Sequence, residues 1–172
     1  HSATKYLAGH NDVLAGVVVT DNADLYEKLF YNLNTTGAVL SPFDSYQLIR
    51  GLKTLSLRME RSTANAQEIV AFLEQSPAVK EVLYTGRGGM ISFKVADEKR
   101  IPHILNTLKV FSFAESLGGV ESLITYPTTQ THADIPAEVR HSYGLTDDLL
   151  RLSIGIEDVR DLIEDLRQAL EG

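Results

Sequence analysis

The 172-residue chain is 44% apolar and carries 16 basic against 23 acidic side chains, a formal charge of −7, with no cysteine. Its length suits one globular domain or part of a larger one, while the acidic balance offers no footprint for a phosphate backbone or an anionic membrane surface, so neither nucleic acid nor membrane is expected as a partner. Without cysteine there is no disulfide framework and no thiolate metal site, and with no signal-peptide or membrane-span pattern the expected location is cytoplasmic.

The chain starts at His1, already inside what reads as a motif, and is expected to be part of a longer polypeptide. Val13 to Thr20, VLAGVVVT, is a short valine-rich run that suits a strand buried on both faces of a parallel sheet. Residues 22–33 put Leu25, Leu29 and Phe30 on one helical stripe, after which NTTGAVL, with Gly37, reads as loop. Ser41-Pro42 opens the next helix, with Ser41 as N-cap, Pro42 at the first helical position and Asp44 in the first turn. The helical pattern then continues to about Gln75, long for one globular helix, with Gly51 and the Ser62-Thr63 pair as expected bends. Beyond Pro77 the texture changes to short strands, 79–85 and 90–96, which flank the turn Gly86 to Gly89 and read as a hairpin. A helix over 98–109, apolar runs at 110–114 and 121–126, and the polar loop PTTQTHAD follow. A short helix from Pro136 ended by Gly144, a strand over 149–156 and an amphipathic helix over 157–171 complete the chain.

The opening HSATKYLAGHN poses a chemical choice. Ser2 and Lys5 stand as S-x-x-K, the spacing that brings a hydroxyl and an amine together in acyl-serine enzymes. Those enzymes also need an S-D-N element and a K-T-G strand, and neither is present; Lys53-Thr54-Leu55 lies in a helical pattern and lacks the glycine. Alternatively, Lys5 forms an imine with a carbonyl cofactor while Ser2 and Thr4 hold its phosphate, or it is an ordinary exposed lysine. Arg151, alone in the apolar LLRLSIGI, is costly to bury unless an anion meets it, and otherwise forms an internal salt bridge or lies on a solvated face. The histidines at 1, 10, 103, 132 and 141 show no i, i+4 ligand pair, so no metal is expected.

The stretch Ser2 to Asn11 resembles the cofactor-lysine signature of the Cys/Met-metabolism family of pyridoxal-phosphate enzymes. The similarity continues through GAVLSPFDS, RGLKTLSLRM, FAESLGGVESLITYP, THADIP and LLRLSIGIED, across essentially the whole chain. The compact YTGRGGMISF is shorter than the family's usual hairpin and is most similar to cystathionine gamma-synthases of the type that can also use sulfide.

The resemblance implies an α/β fold of the aspartate-aminotransferase type, fold type I, of which this is the C-terminal portion. Residues 1–40 would end the large cofactor-binding domain, 41–76 form a long connecting helix region, and 77–172 form the small α+β domain. It implies pyridoxal 5'-phosphate as cofactor, with Lys5 carrying it and moving protons, and Ser2 and Thr4 as phosphate donors. An imine-forming lysine must present a neutral amine, which desolvation and cationic surroundings favour.

Arg151 matches the arginine that grips the substrate carboxylate through a two-point fork, and Ser116 the serine beside that carboxylate. Glu115 matches a pocket-rim carboxylate of cystathionine gamma-synthases and gamma-lyases, and Asn34 falls where a loop faces the neighbouring subunit's site. Read without the resemblance, Ser116 is a turn residue and Glu115 a solvated surface group. The implied activity is gamma-replacement on an O-acylhomoserine by cysteine to give cystathionine, in a homotetramer built as a dimer of dimers acting on small amino-acid substrates. Cystathionine gamma- or beta-lyase and homoserine sulfhydrylase are the alternatives within the family. A catalytically silent fragment or dimerisation module is the alternative outside it, and the 172 residues alone are expected not to turn over substrate.

Overall fold

The computed structural model describes residues 1–172, and the chain divides into two units, His1–Leu55 and Ser56–Gly172. In the first unit, helix α1 (Ala23–Thr36) starts where Asn22 Oδ1 accepts the Leu25 N–H at 2.9 Å. It stops where Gly37 adopts a φ of 68°, a left-handed cap that returns the Gly37 N–H to Leu33 O. The helix therefore runs three residues past the expected end, and none of its side chains is buried.

Helix α2 (Pro42–Leu52) has the expected start: Ser41 Oγ accepts the Asp44 N–H at 3.0 Å and Pro42 fills the first position. The strand expected over 13–20 does not form. Ladder pairing near it is confined to a bridge between Ser2 and Gly16, and Leu14 and Val19 are 86% and 78% exposed. A strand needs neighbours to bond its alternate edges, and no second strand of this chain lies beside that run.

Helix α3 (Leu55–Gln75) belongs almost wholly to the second unit, so the single helix expected from Ser41 to Gln75 is two. Lys53 N and Thr54 N close back onto Arg50 O and Gly51 O at 3.2 Å, tightening the end of α2 at its glycine, while Ser62-Thr63 leaves α3 unbroken. Buried Ser62, Asn65, Ala66, Ile69 and Leu73 form one stripe of α3 at helical spacing.

The expected hairpin forms from β1 (Val79–Leu83) and β2 (Met90–Val95), antiparallel. Helix α4 (Ile101–Thr107), the two-residue β3 (Ser112–Phe113), β4 (Leu123–Thr125), helix α5 (Ala137–Ser142), β5 (Leu149–Ser153) and helix α6 (Val159–Glu171) follow. The strands make one mixed sheet in the order β1-β2-β5-β4-β3, antiparallel except for β3 with β4. Strand alternation sends Ile91, Phe93, Leu150, Leu152 and Ile124 to one face, where they join Ile69 and Leu73 of α3 and Leu162 and Leu166 of α6 in a single core. Each such side chain contributes roughly 1.5–3 kcal/mol by burial. The same alternation puts Ser92, Arg151 and Thr125 on the other face, side by side across β2, β5 and β4.

Asp165 of α6 closes the loop before β3. Its carboxylate accepts the N–H groups of Lys109, Val110 and Phe111 at 2.8, 2.8 and 3.0 Å, of which that of Phe111 is in a buried bond and would otherwise lack a partner. No helix is long and apolar enough to cross a membrane.

Candidate active site

Within the first unit, Ser2 to Gly9 form a turn wound wider than an α-helix: Ala8 N donates to Ala3 O at 3.0 Å and Gly9 N to Lys5 O at 2.8 Å. Lys5 sits in it half-buried, with φ −90° and ψ −129°, outside the helical basin. Two clamps hold this turn. Ala3 N and Thr4 N both donate to Ala15 O, at 2.8 and 3.2 Å, and Ala15 N donates back to Thr4 Oγ1 at 2.9 Å. On the other side Ala8 meets Gly51 of α2 so closely that a Cβ on residue 51 would lie 2.2 Å from the Ala8 carbonyl oxygen. Glycine is required there because no side chain fits. Beyond the turn, His10 Nδ1–H donates to Ala8 O at 2.8 Å.

Ser2 is exposed and makes no capping bond to the turn. Thr4 uses a lone pair on Ala15 N, and its hydroxyl proton makes a long contact of 3.3 Å to Ala15 O, from which a stronger acceptor can draw it. An amine and two hydroxyls within four consecutive residues are what an aldehyde bearing a phosphate needs: the amine to condense and the hydroxyls to donate to phosphate oxygens. The residues fit such a group. Asn34 lies in the last turn of α1, exposed, and not on a loop as expected, because the helix continues to the cap at Gly37.

In the second unit, Arg151 points from the centre of the sheet, with Ser92 and Thr125 as its cross-strand neighbours. Its Nη2 donates to Glu115 O at 2.8 Å and to Thr125 Oγ1 at 3.1 Å. Its Nε is buried and has no partner. Burial lowers the guanidinium's pKa from its usual value, and the Glu115 carboxylate partly offsets this. A buried donor without a partner is costly, and an anion is one group that could meet it.

The segment carrying Glu115 and Ser116 is stitched to the end of β5. Gly118 N donates to Ser153 Oγ at 2.8 Å, Ile156 N to Val120 O at 2.9 Å, and Gly155 N to Ser122 Oγ at 2.9 Å. Ser122 donates from its N–H and hydroxyl to Glu157, at 2.6 and 2.9 Å. Asn65 of α3 then bonds the carbonyls of Gly155 and Glu157. Glu115 is exposed and Ser116 half-buried, so both stand at a surface beside Arg151.

The structure thus gathers Ser2, Thr4 and Lys5 on one turn of the first unit and Glu115, Ser116 and Arg151 around one sheet position of the second, and sets Asn34 apart at the end of α1. Thr125, Ser153 and Ser122 carried no sequence signal, since hydroxyls in strand-forming stretches are common, and Glu157 read only as one more acidic residue at the start of the last helix; the cross-strand register finds Thr125 as soon as it is known.

The chain is similar to known proteins along its whole length. It is 58% identical over 170 residues to a cystathionine gamma-synthase/O-acetylhomoserine (thiol)-lyase of Bacillus subtilis (strain 168), covering 99% of this chain and 46% of that protein. It is 51% identical over 187 aligned residues to a cystathionine gamma-lyase of the same organism, covering 99% and 49%. The crystal structure of a cystathionine gamma-lyase from Micromonospora echinospora superposes with a TM-score of 0.96 at 38% identity, over 99% of this chain and 49% of that one. The chain spans about half the length of the curated relatives it matches. The model of one family matches residues 1–171, and by that match the chain belongs to the Cys/Met metabolism PLP-dependent enzymes.

Proposed function

We propose that the chain is the C-terminal part of a fold type I enzyme that makes cystathionine from an O-acylhomoserine and cysteine by gamma-replacement. Its family depends on pyridoxal phosphate, which when bound supplies an electron sink for carbanion chemistry at the substrate's α and β carbons. Lys5 is the residue that would hold the cofactor through its Nζ, and the same amine would carry protons from the substrate's α carbon and then its β carbon. Ser2 and Thr4 hold the phosphate. Arg151 anchors the α-carboxylate with Ser116 beside it, which aligns the γ carbon for departure of the acyl carboxylate and addition of the cysteine thiol. Glu115 shapes the rim for the distal ammonium group, and Asn34 faces a neighbouring subunit of a homotetramer. Residues 1–40 end the large domain, 41–76 connect, and 77–172 form the small domain. The enzyme works in the cytoplasm.

One observation favours synthase over lyase. Alignment with the synthase/thiol-lyase occupies 170 positions, which this chain fills, whereas alignment with the lyase occupies 187, which exceeds this chain's 172 residues by 15. The lyase therefore has a stretch with no counterpart here, and we assign it to the β1–β2 turn, which closes through Gly86 and Gly88, both at positive φ. A second reading, sulfide in place of cysteine, is favoured by the thiol-lyase activity in the name of the 58% identical relative.

The test supplies the full-length enzyme with O-acetyl- or O-succinylhomoserine plus cysteine, with either ester plus sulfide, or with cystathionine alone, and identifies products by mass spectrometry. Cystathionine formed from ester and cysteine supports the proposal. Faster breakdown of cystathionine to an oxo acid than its synthesis would overturn it.

A further inference from the structure

Thr125 and Arg151 are direct cross-strand partners in the β4–β5 ladder. Thr125 is 1% exposed; its hydroxyl donates to Ala114 O at 2.7 Å and accepts Arg151 Nη2–H at 3.1 Å. A hydroxyl has one proton, so committing it to Ala114 leaves only lone pairs facing the guanidinium. The other Nη2 hydrogen is held by Glu115 O at 2.8 Å, and Ala114 N donates to Ile124 O at 3.0 Å. One buried hydroxyl therefore fixes both the arginine head and the backbone that carries Glu115 and Ser116. With both Nη2 hydrogens bound to protein, the three donors left are the buried Nε and the two of Nη1, and their place is set by bonds that do not involve the ligand.

We propose that Thr125 is a positioning residue for carboxylate recognition: its hydroxyl locks Nη2 of Arg151 so that the rest of the guanidinium is presented, preorganised, to the α-carboxylate of the amino-acid substrate. This rests on the reading of Arg151 as the carboxylate anchor. Hydrogen bonds to charged groups are the stronger ones, and their geometry here is inherited from two adjacent strands of a sheet. Thr125→Val keeps the side chain's shape and removes the donor and acceptor, whereas Thr125→Ser keeps the hydroxyl and loses a methyl.

The test uses the full-length enzyme with its cofactor bound and follows the cofactor's absorbance as ligands are added: the amino-acid substrate, and the matching amine without its carboxylate. Thr125→Val is expected to weaken amino-acid binding roughly ten-fold, with KM rising by the same factor and kcat falling less, while amine binding stays at wild-type strength. Thr125→Ser is expected to stay within about two-fold of wild type, since its hydroxyl can make the same bonds. Unchanged amino-acid binding in Thr125→Val, equal loss of amino acid and amine, or failure of serine to rescue would each overturn the inference. Arg151→Ala separates the two readings. If it too binds the amino acid normally, the anchor reading falls and the inference falls with it. If it loses binding while Thr125→Val does not, the inference about Thr125 falls alone.

Discussion

The two units of the chain handle apolar surface in opposite ways. The second gathers Phe93, Leu150, Leu152, Ile69, Leu166 and their neighbours into one sealed core between a mixed sheet and three helices. The first has a small cluster of Ala3, Ala8, Val13 and Leu48 under the lysine turn, while Leu14, Val18, Val19, Tyr26, Phe30 and Phe43 lie exposed. An open apolar cleft of about 500 Å³ runs along α1 between Val18, Val19, Phe30 and Leu33. One unit is stabilised by its own residues. The other keeps its chemistry-bearing turn in order mainly through backbone bonds and a glycine contact, and leaves much of its hydrophobic surface unburied.

The contrast is broken most directly by cutting the chain. Residues 56–172 expressed alone are expected to unfold in one cooperative transition in denaturant, whereas 1–55 alone are expected to show no cooperative transition by circular dichroism, since four small buried side chains cannot offset the chain entropy of 55 residues. A sigmoidal transition in the shorter piece would show that the first unit is self-sufficient.

Two glycines sharpen it. A Cβ on Gly155 would lie 2.1 Å from Val120 O, and one on Gly51 2.2 Å from Ala8 O, both against backbone that cannot swing aside. Gly155→Ala is expected to destabilise the second unit by about 2–4 kcal/mol in denaturant titrations. Gly51→Ala is expected to leave that transition in place and instead displace the lysine turn. Borohydride reduction of the full-length protein with pyridoxal phosphate, followed by peptide mass mapping, should then find label on Lys5 in the parent and little in the variant. Full labelling of the variant would show that the Ala8 contact does not set the turn.

Core truncation separates the two units over a similar range of effect. Phe93→Ala, fully buried, should cost about 3–5 kcal/mol. Val19→Ala in the 172-residue chain should stay within about 0.5 kcal/mol. A larger loss for Val19 in the full-length protein than in this chain would show that its surface is covered there.

The smallest effect is electrostatic. Burial would raise the Asp148 pKa, but hydrogen bonds from Lys80 and Thr146 outweigh it and hold the carboxyl below its usual value. A folded-state pKa below the unfolded one adds stability above about pH 4 that is lost as pH falls through the lowered value. The stability gap between the parent and Asp148→Asn should therefore be present at pH 6 and shrink below pH 4. It should stay under about 1 kcal/mol, because Lys80 is half exposed and water screens the pair. A gap that widens on acidification would reverse the sign of this argument.

Local signals made the second unit legible. The Gly86 to Gly89 turn between alternating runs gave the hairpin, and Pro136 and Gly144 bracketed α5. The run over 13–20 misled because apolar content reports a wish for burial, while a strand also needs a partner. The break at Lys53–Thr54 falls beside Gly51, one of the two expected bends, although apolar spacing continues across it and made one long helix of two. Of the candidate site, Arg151 was visible as a lone charge among leucines and Lys5 as part of a motif. Thr125 was not, because its role depends on a register that only the folded sheet defines.

The sheet's edges carry one further consequence. Its outer strands are β3, with two residues, and β1, whose pairing is interrupted by a bulge between Val79 and Glu81 and which bears Lys80 and Glu81. A second copy approaching edge to edge would meet too few free backbone groups on one side and a kinked, charged ribbon on the other. Runaway strand addition, the route from a small sheet to a fibril, is therefore blocked at both rims, and self-association of this unit is left to its side chains.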